Sequence, residues 1–138
     1  MSGVTDLDEL LRSMTPERVT GAFVYGVLPH DPADGPPGRA AIVASARATV
    51  VEDEGLTVVV PQEVADEHAW VYDFVAAWIT LRVHSSLAAV GLTAAVSAAL
   101  TAVGVSCNVI AGAFHDHLLV PIDRADDAIA ALERLSAR

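Results

Sequence analysis

Two histidines flank an aspartate in SCNVIAGAFHDHLLVP, residues 106–121. Side chains two positions apart share a face in an extended chain, so His115 and His117 can point the same way. Two imidazoles on one strand could supply two zinc ligands or an acid–base pair, with His84 as a third member. No CxxC, HExxH or second histidine pair completes such a set, so we expect no native metal.

The stretch His84-Ser85-Ser86 has the residue types of a nucleophilic site. Adjacent residues on a strand point to opposite faces, so His84 is badly placed to activate Ser85, and no GxSxG motif is present. We expect Ser85 and Ser86 to satisfy backbone groups in a turn that leads into a helix. The start of that helix would also offer free N–H groups that suit a carboxylate.

The strand around residues 105–110 carries two further polar residues. Cys107 shares a face with Val105 and Val109, so we expect a buried, inert thiol. Asn108 lies on the opposite face and needs a hydrogen-bond partner, which could be a neighbouring loop or a ligand.

Composition excludes several classes of function. The chain has 138 residues, of which 53% are hydrophobic, enough for one domain or two very small modules that share a core. It has eight arginines, no lysine and a net charge of −10, which disfavours nucleic-acid binding. Without lysine there can be no Schiff base and no Walker-type phosphate site.

The chain also lacks the signals of a membrane or secreted protein. Its apolar runs are interrupted well before the roughly 18 residues that a membrane span needs. The N-terminal sequence MSGVTDLDELLRSM is acidic and amphipathic, unlike a signal peptide. A single cysteine cannot form an internal disulfide, so we expect a cytoplasmic protein.

Hydrophobic periodicity predicts the elements that position these residues. In the first half we expect a helix over 5–14 capped by Thr5 or Asp6, a strand over 19–28 and a proline-rich loop over 29–39. Runs of β-branched residues on either side of EDEG predict a hairpin of 41–51 with 56–61, followed by a short helix over 62–68.

The second half shows a clearer β-α-β-β-α order. We expect a strand over 76–83, a helix over 92–104 that ends at Gly104, and a strand over 105–110. The apolar stripe of this helix consists of Leu92, Val96, Ala99, Leu100 and Val103. The turn GAFHD then leads into the strand HLLVP, and Asp123 caps a last helix over 124–135.

The motifs VHSSLxAVGLTAAVSxAL and SCNVIAGxxHDHLxVP resemble small bacterial tandem-ACT proteins, which are similar in turn to the ACT modules of cytosolic arginine sensors. The resemblance is strongest over 76–135, and EDEGLTVVV carries it in the first half. It implies an α+β, ferredoxin-like βαββαβ fold with a degenerate N-terminal module at 1–73 and a C-terminal module at 74–138. On this layout we expect the second module to lack its final strand, and we hypothesise that the first half supplies that strand by interlocking.

The resemblance also implies a function. ACT modules are regulatory sensors, not catalysts; they need no cofactor, pair through their sheets and bind amino acids near the turn after the first strand. A homodimer and an amino-acid ligand are therefore expected, although HSSLAAVG lacks the Asp and Pro-Gly that many ACT modules carry there. Mapped onto this chain, the implied ligand-binding residues are His84, Ser85, Ser86, Gly91, Leu92, Asn108, Val109, Ile110, Ala111, His115, Asp116 and His117.

Two alternatives remain at this point. The chain could be a structural interaction module with an empty pocket. It could also be an enzyme in which His84, His115 and His117 form a metal or acid–base set.

Overall fold

The computed structural model describes residues 6–83 and 85–137 of the chain. The fold divides into two compact units. The terminal unit combines the chain up to Thr20 with the chain from Ala77 onward, and the middle unit contains Gly21–Ala76.

The terminal unit holds the elements expected from the second half, together with the beginning of the chain. Its helices are α1 (Leu7–Ser13), α4 (Leu92–Ala102) and α5 (Ala125–Ser136). Its strands are the first part of β1 (Thr15–Leu28), β4 (Ala76–Arg82), β5 (Asn108–Ala111) and β6 (Asp116–Pro121). They follow the order β1-β4-β6-β5, which places β1 beside β4 as the interlocking hypothesis requires.

Alternation along the strands and the helical stripe build the core of this unit. On β4, Ala77, Ile79 and Leu81 are buried in one cluster with Leu118 and Val120 of β6. Helix α4 adds Leu92, Val96 and Leu100 of its predicted apolar stripe, whose other members Ala99 and Val103 are partly buried against the same cluster. Helix α5 adds Ala128, Ala131, Leu132 and Leu135. Burial of these side chains holds α4 against the sheet and so positions the start of that helix.

The middle unit is built in the same way. It contains the second part of β1, α2 (Arg39–Ser45), β2 (Ala48–Glu52), β3 (Gly55–Pro61) and α3 (Gln62–Glu67), with strand order β2-β3-β1. Both strand pairs are antiparallel, and the predicted EDEG turn joins β2 to β3. The core of this unit consists of Val24, Leu28, Ile42, Val58, Val60 and Ala65.

Several predicted helix ends are confirmed. Asp6 caps α1, because its Oδ1 accepts a hydrogen bond from the N–H of Glu9 at 2.9 Å. Gly104 follows α4 with a φ of +72° and donates its N–H to the carbonyl of Thr101. The guanidinium of Arg124 donates to the carbonyls of Val103 and Gly104 and so stabilises the same helix end.

Four predicted boundaries are wrong. Residues 39–45 form α2 and not part of a strand, because Ile42 is buried in the middle unit's core from a helix. Strand β1 begins at Thr15 and not at residue 19. Pro16 is compatible with this longer strand, because proline is tolerated near the start of a strand. Strand β5 begins only at Asn108, and Asp123 lies in a 3-10 helix, Ile122–Arg124, that precedes α5 without a side-chain cap.

No helix within the described residues has the length and apolar character that a membrane crossing requires.

Candidate functional site

A cavity of about 500 Å³ opens in the terminal unit at the start of α4. We call it the α4 cavity. The loop between β4 and α4, the first turns of α4 and the β5–β6 hairpin form its walls. It brings together half of the twelve predicted ligand-binding residues: Ser85, Ser86, Gly91, Leu92, Ala111 and Asp116.

The loop that forms one wall is held by its own backbone. The N–H of Ser85 donates to the carbonyl of Val83 at 3.1 Å, and the N–H of Ala89 donates to the carbonyl of Ser86 at 2.9 Å. The hydroxyl oxygen of Ser86 accepts from the N–H of Ala88 at 3.2 Å. The expectation that Ser86 satisfies a backbone group before the helix is therefore confirmed.

The second wall is the N-terminus of α4. Gly91 precedes the helix with a φ of +104°, and a Cβ on this residue would stand 3.0 Å from Cδ2 of Leu7, so glycine fits where other residues would be strained. Among the residues that the structure describes, no side chain caps this end, and the first turn of the helix contains no acidic residue. The N–H groups of Leu92, Thr93 and Ala94 have no acceptor within the helix, and they give this end of the cavity a partial positive charge.

The third wall carries a carboxylate. Asp116 begins β6 and pairs with Ala111 across the hairpin. Partial burial raises the pKa of this carboxyl, and the nearby imidazoles of His117 and His115 oppose that rise. Among the described residues that line the cavity, Asp116 is the one with an ionisable side chain, and it faces a setting of hydroxyls from Ser85, Ser86, Thr93 and Ser97.

The two histidines of the HDH motif lie next to the cavity but do not line it. Nδ1 of His117 is 3.3 Å from the indole nitrogen of Trp78 and 3.0 Å from the hydroxyl of Thr80. Since an indole N–H can only donate, Nδ1 accepts and the ring proton belongs on Nε2. Nδ1 of His115 lies 3.3 Å from the carbonyl of Val83. Both rings therefore fasten the hairpin to β4 and to the residue that follows it.

Nothing within the part of the chain that the structure describes groups three His, Cys, Asp or Glu side chains around a possible metal position. His84, the predicted third member of the histidine set, lies outside the described residues. The role of His84 in a metal or ligand site therefore stays a prediction.

Strand β5 contributes less than the sequence predicts. Asn108 is exposed, Val109 packs against the core of the terminal unit, and Ile110 pairs with His117 across the hairpin. None of the three lines the α4 cavity. Cys107 is half-buried, and this burial raises the pKa of its thiol, which agrees with an unreactive cysteine.

Six residues of the cavity were missed in the sequence: Thr93, Ser97, Gly112, Leu87, Ala89 and Ala94. Helical periodicity could have identified the first two, because positions 93 and 97 lie on one face of α4, away from the buried stripe. Gly112 lies in the hairpin turn, and a Cβ there would stand 3.1 Å from Nε2 of His117.

Comparison with known proteins identifies both halves of the chain. Two separate models described as ACT domain match the chain, one over residues 2–77 and the other over residues 74–134. A search of curated proteins gave no match.

Solved structures show the same architecture. A Vibrio cholerae protein of unknown function, described as a possible transport protein, is 38% identical, with a TM-score of 0.81 over 98% of this chain and 99% of its own. The regulatory subunit of aspartate kinase from Thermus thermophilus, in ligand-free form, is 12% identical, with a TM-score of 0.62 over 91% of this chain and 97% of its own. An Agrobacterium tumefaciens protein is 15% identical, with a TM-score of 0.60 over 89% of each chain. The latter two likenesses establish the shared fold.

Proposed function

Because the chain belongs to the ACT-domain family, we propose that it is a regulatory module that binds a free amino acid in the α4 cavity. ACT domains are typically regulatory modules of this kind and do not catalyse reactions. In this proposal the protein is a cytoplasmic homodimer, and binding of the ligand changes how it regulates a partner protein. Its N-terminal module comprises residues 1–73 and its C-terminal module residues 74–138, a division that the two matched ranges support.

The charge arrangement of the α4 cavity carries this proposal. An amino acid has a carboxylate and an ammonium group a few bonds apart. The N–H groups at the start of α4 suit the carboxylate, and Asp116 on the opposite hairpin suits the ammonium. The hydroxyls of Ser85, Ser86, Thr93 and Ser97 can then bond to polar atoms of the ligand.

The cavity is also large enough for such a ligand. Its volume of about 500 Å³ lies within the range of roughly 300–1,000 Å³ that is typical of small-molecule sites. Of the other predicted ligand residues, His115 and His117 would act indirectly by holding the hairpin.

Thermal unfolding with each of the twenty amino acids at millimolar concentration tests the proposal. A ligand at about 100 times its Kd stabilises the protein by roughly 2.7 kcal/mol, which raises Tm by several degrees. Asp116→Asn should weaken binding about ten- to hundred-fold, since a hydrogen bond to a charged group contributes about 1.5–3 kcal/mol.

Asp123→Asn is the matched control, because Asp123 is an exposed aspartate of the same unit and does not line the cavity. Unchanged ligand response in Asp123→Asn and loss in Asp116→Asn would support the site. If no amino acid raises Tm, the protein is better described as an interaction module with an empty pocket. Bound zinc in the purified protein would instead favour the histidine-based alternative.

A further inference from the structure

Helix α4 has an unusual exposed surface. None of its eleven residues is charged, and its exposed positions are Thr93, Ala94, Ala98, Thr101 and Ala102. Helix α5, which packs beside it, exposes Asp126, Asp127, Glu133 and Arg134. A helix on the surface of a soluble domain normally presents a charged or strongly polar side to water. The uncharged side of α4 is therefore better suited to contact with protein than with solvent.

Of these exposed positions, Ala98 and Ala102 lie on a groove of about 700 Å³ between α1, α4 and α5. We call it the helix groove. Ala95, Ala98, Ala99 and Ala102 line it from α4. Ala99 and Ala102 also line a smaller depression of about 180 Å³ next to α5, so the two hollows adjoin along α4. Small side chains of this kind allow another helix to approach closely.

The opposite edge of the groove carries one residue of each charge. Asp8 and Arg12 lie one turn apart on α1, with Leu11 beside them. Within residues 6–83 and 85–137, neither charged side chain takes part in a salt bridge or a side-chain hydrogen bond. The edge therefore has one acidic and one basic group that are available to an incoming surface.

We propose that a second copy of this chain covers the helix groove, with the two α1 helices antiparallel across a twofold axis. In such an interface every contact occurs twice: if residue i of one copy contacts residue j of the other, then j of the first copy contacts i of the second. Asp8 of one copy then meets Arg12 of the other, and the reverse, while Leu11 lies near the axis and packs against its own counterpart. This proposal gives the homodimer of the proposed function a contact through helices in place of the sheet pairing that the resemblance implies, and it rests on that part of the proposed function.

Charge explains why a second copy suits this surface. Each chain has a net charge of −10, so two copies repel over most of their surfaces. The groove itself is lined by uncharged residues of α4 and by one residue of each charge on α1, so this repulsion is smaller there than on the rest of the surface. The contact must also include parts of α5 that adjoin the groove, because a stable interface buries about 1,200–2,000 Å² in total.

Ala98→Glu tests the apolar part of the interface. Ala98 is exposed and glutamate is a good helix former, so the variant should keep its Tm but place a charge in the proposed contact. Sedimentation velocity should show a dimer for the wild type and at least ten-fold weaker association for Ala98→Glu. Ala113→Glu is the matched control, because Ala113 is exposed in the β5–β6 turn of the same unit and lines neither hollow.

A charge exchange on α1 tests the twofold geometry. Asp8→Arg and Arg12→Asp should each weaken the dimer, because each places like charges opposite one another. The double variant Asp8→Arg/Arg12→Asp should restore it. If these residues only stabilised α1 through the helix dipole, the double variant would dimerise more weakly than either single variant. It would place arginine at the N-terminal end of α1 and aspartate at the C-terminal end, both against the dipole.

Two results would overturn the proposal. One is a wild-type protein that stays monomeric at about 100 μM. This concentration is about a hundred-fold above a Kd of about 1 μM, so a dimer of that affinity would be almost fully formed. The other is a dimer that Ala98→Glu and both single charge variants leave unchanged, which would locate the interface elsewhere. The thermal shift with amino acids is read on the same samples, so loss of dimerisation and loss of ligand binding are distinguished.

Discussion

Replacing His117 by alanine removes the hydrogen-bond acceptor that two buried side chains share. The indole N–H of Trp78 and the hydroxyl of Thr80 both reach Nδ1 of this ring, and Trp78 and Thr80 are only 2% and 3% exposed. The rings of His117 and Trp78 also lie 5.3 Å apart. The imidazole therefore fastens β6, and Asp116 at its start, to β4.

The expected loss follows from these contacts. Each hydrogen bond contributes about 0.5–1.5 kcal/mol, and the ring contact adds about 0.5–1.5 kcal/mol. His117→Ala should thus lower the free energy of unfolding by about 1.5–4.5 kcal/mol. Thr80→Val keeps the side-chain shape and removes one donor, so it should cost about 1 kcal/mol.

A double-mutant cycle measured by urea unfolding separates the pair from its surroundings. The combined loss in Thr80→Val/His117→Ala should fall short of the sum of the single losses by about 1 kcal/mol, because both remove the same bond. Ser136→Ala is the control partner: its hydroxyl donates to the carbonyl of Met14 in the same unit and shares no partner with His117. Strict additivity between Thr80 and His117 would refute the assigned hydrogen bond.

Two further predictions concern Asp116 and Gly26. Because burial raises the pKa of Asp116, the wild type should lose stability relative to Asp116→Asn as pH rises from below 3.8 through that raised pKa. The free energy of unfolding in urea is measured for both proteins at each pH, and an equal dependence on pH in the two would contradict this. Gly26→Ala should lower the free energy of unfolding by about 1–3 kcal/mol, because a Cβ there would stand 2.7 and 2.9 Å from Cε3 and Cη2 of Trp70. The cost should shrink in a Trp70→Leu background, and an equal cost in both backgrounds would exclude this clash as its cause.

Periodicity was enough to predict the β-α-β-β-α order of the second half. The stripe Leu92, Val96 and Leu100 is buried as expected, and Gly104 follows the helix in the left-handed conformation. These features depend on neighbours in the chain, so a local pattern specifies them. The predicted strand over 41–51 is wrong over its first five residues, which belong to α2. Ile42 and Val43 favour strands, but Ile42 packs on the core of the middle unit from a helix.

The candidate site was predictable only in part for a related reason. Alternation indicated that His115 and His117 share a face, but it could not identify the groups that each ring would meet. Trp78 and Thr80 lie on β4, nearly forty positions earlier in the chain, and their distance to His117 depends on the pairing of strands. The place of Asp116 opposite the start of α4 likewise depends on how the hairpin is fastened.

The two proposals account for different sides of one helix. Thr93, Ala94 and Ser97 face the α4 cavity, whereas Ala95, Ala98 and Ala102 face the helix groove, and the two sets of lining residues have no member in common. An acidic residue on the first side would repel the ligand's carboxylate, and a basic one would form an ion pair with Asp116 in place of the ligand's ammonium. A charged residue on the second side would be buried without a partner in the dimer. The absence of charge from α4 is thus the composition expected of a helix that contacts a zwitterionic ligand at its start and a second copy along its length.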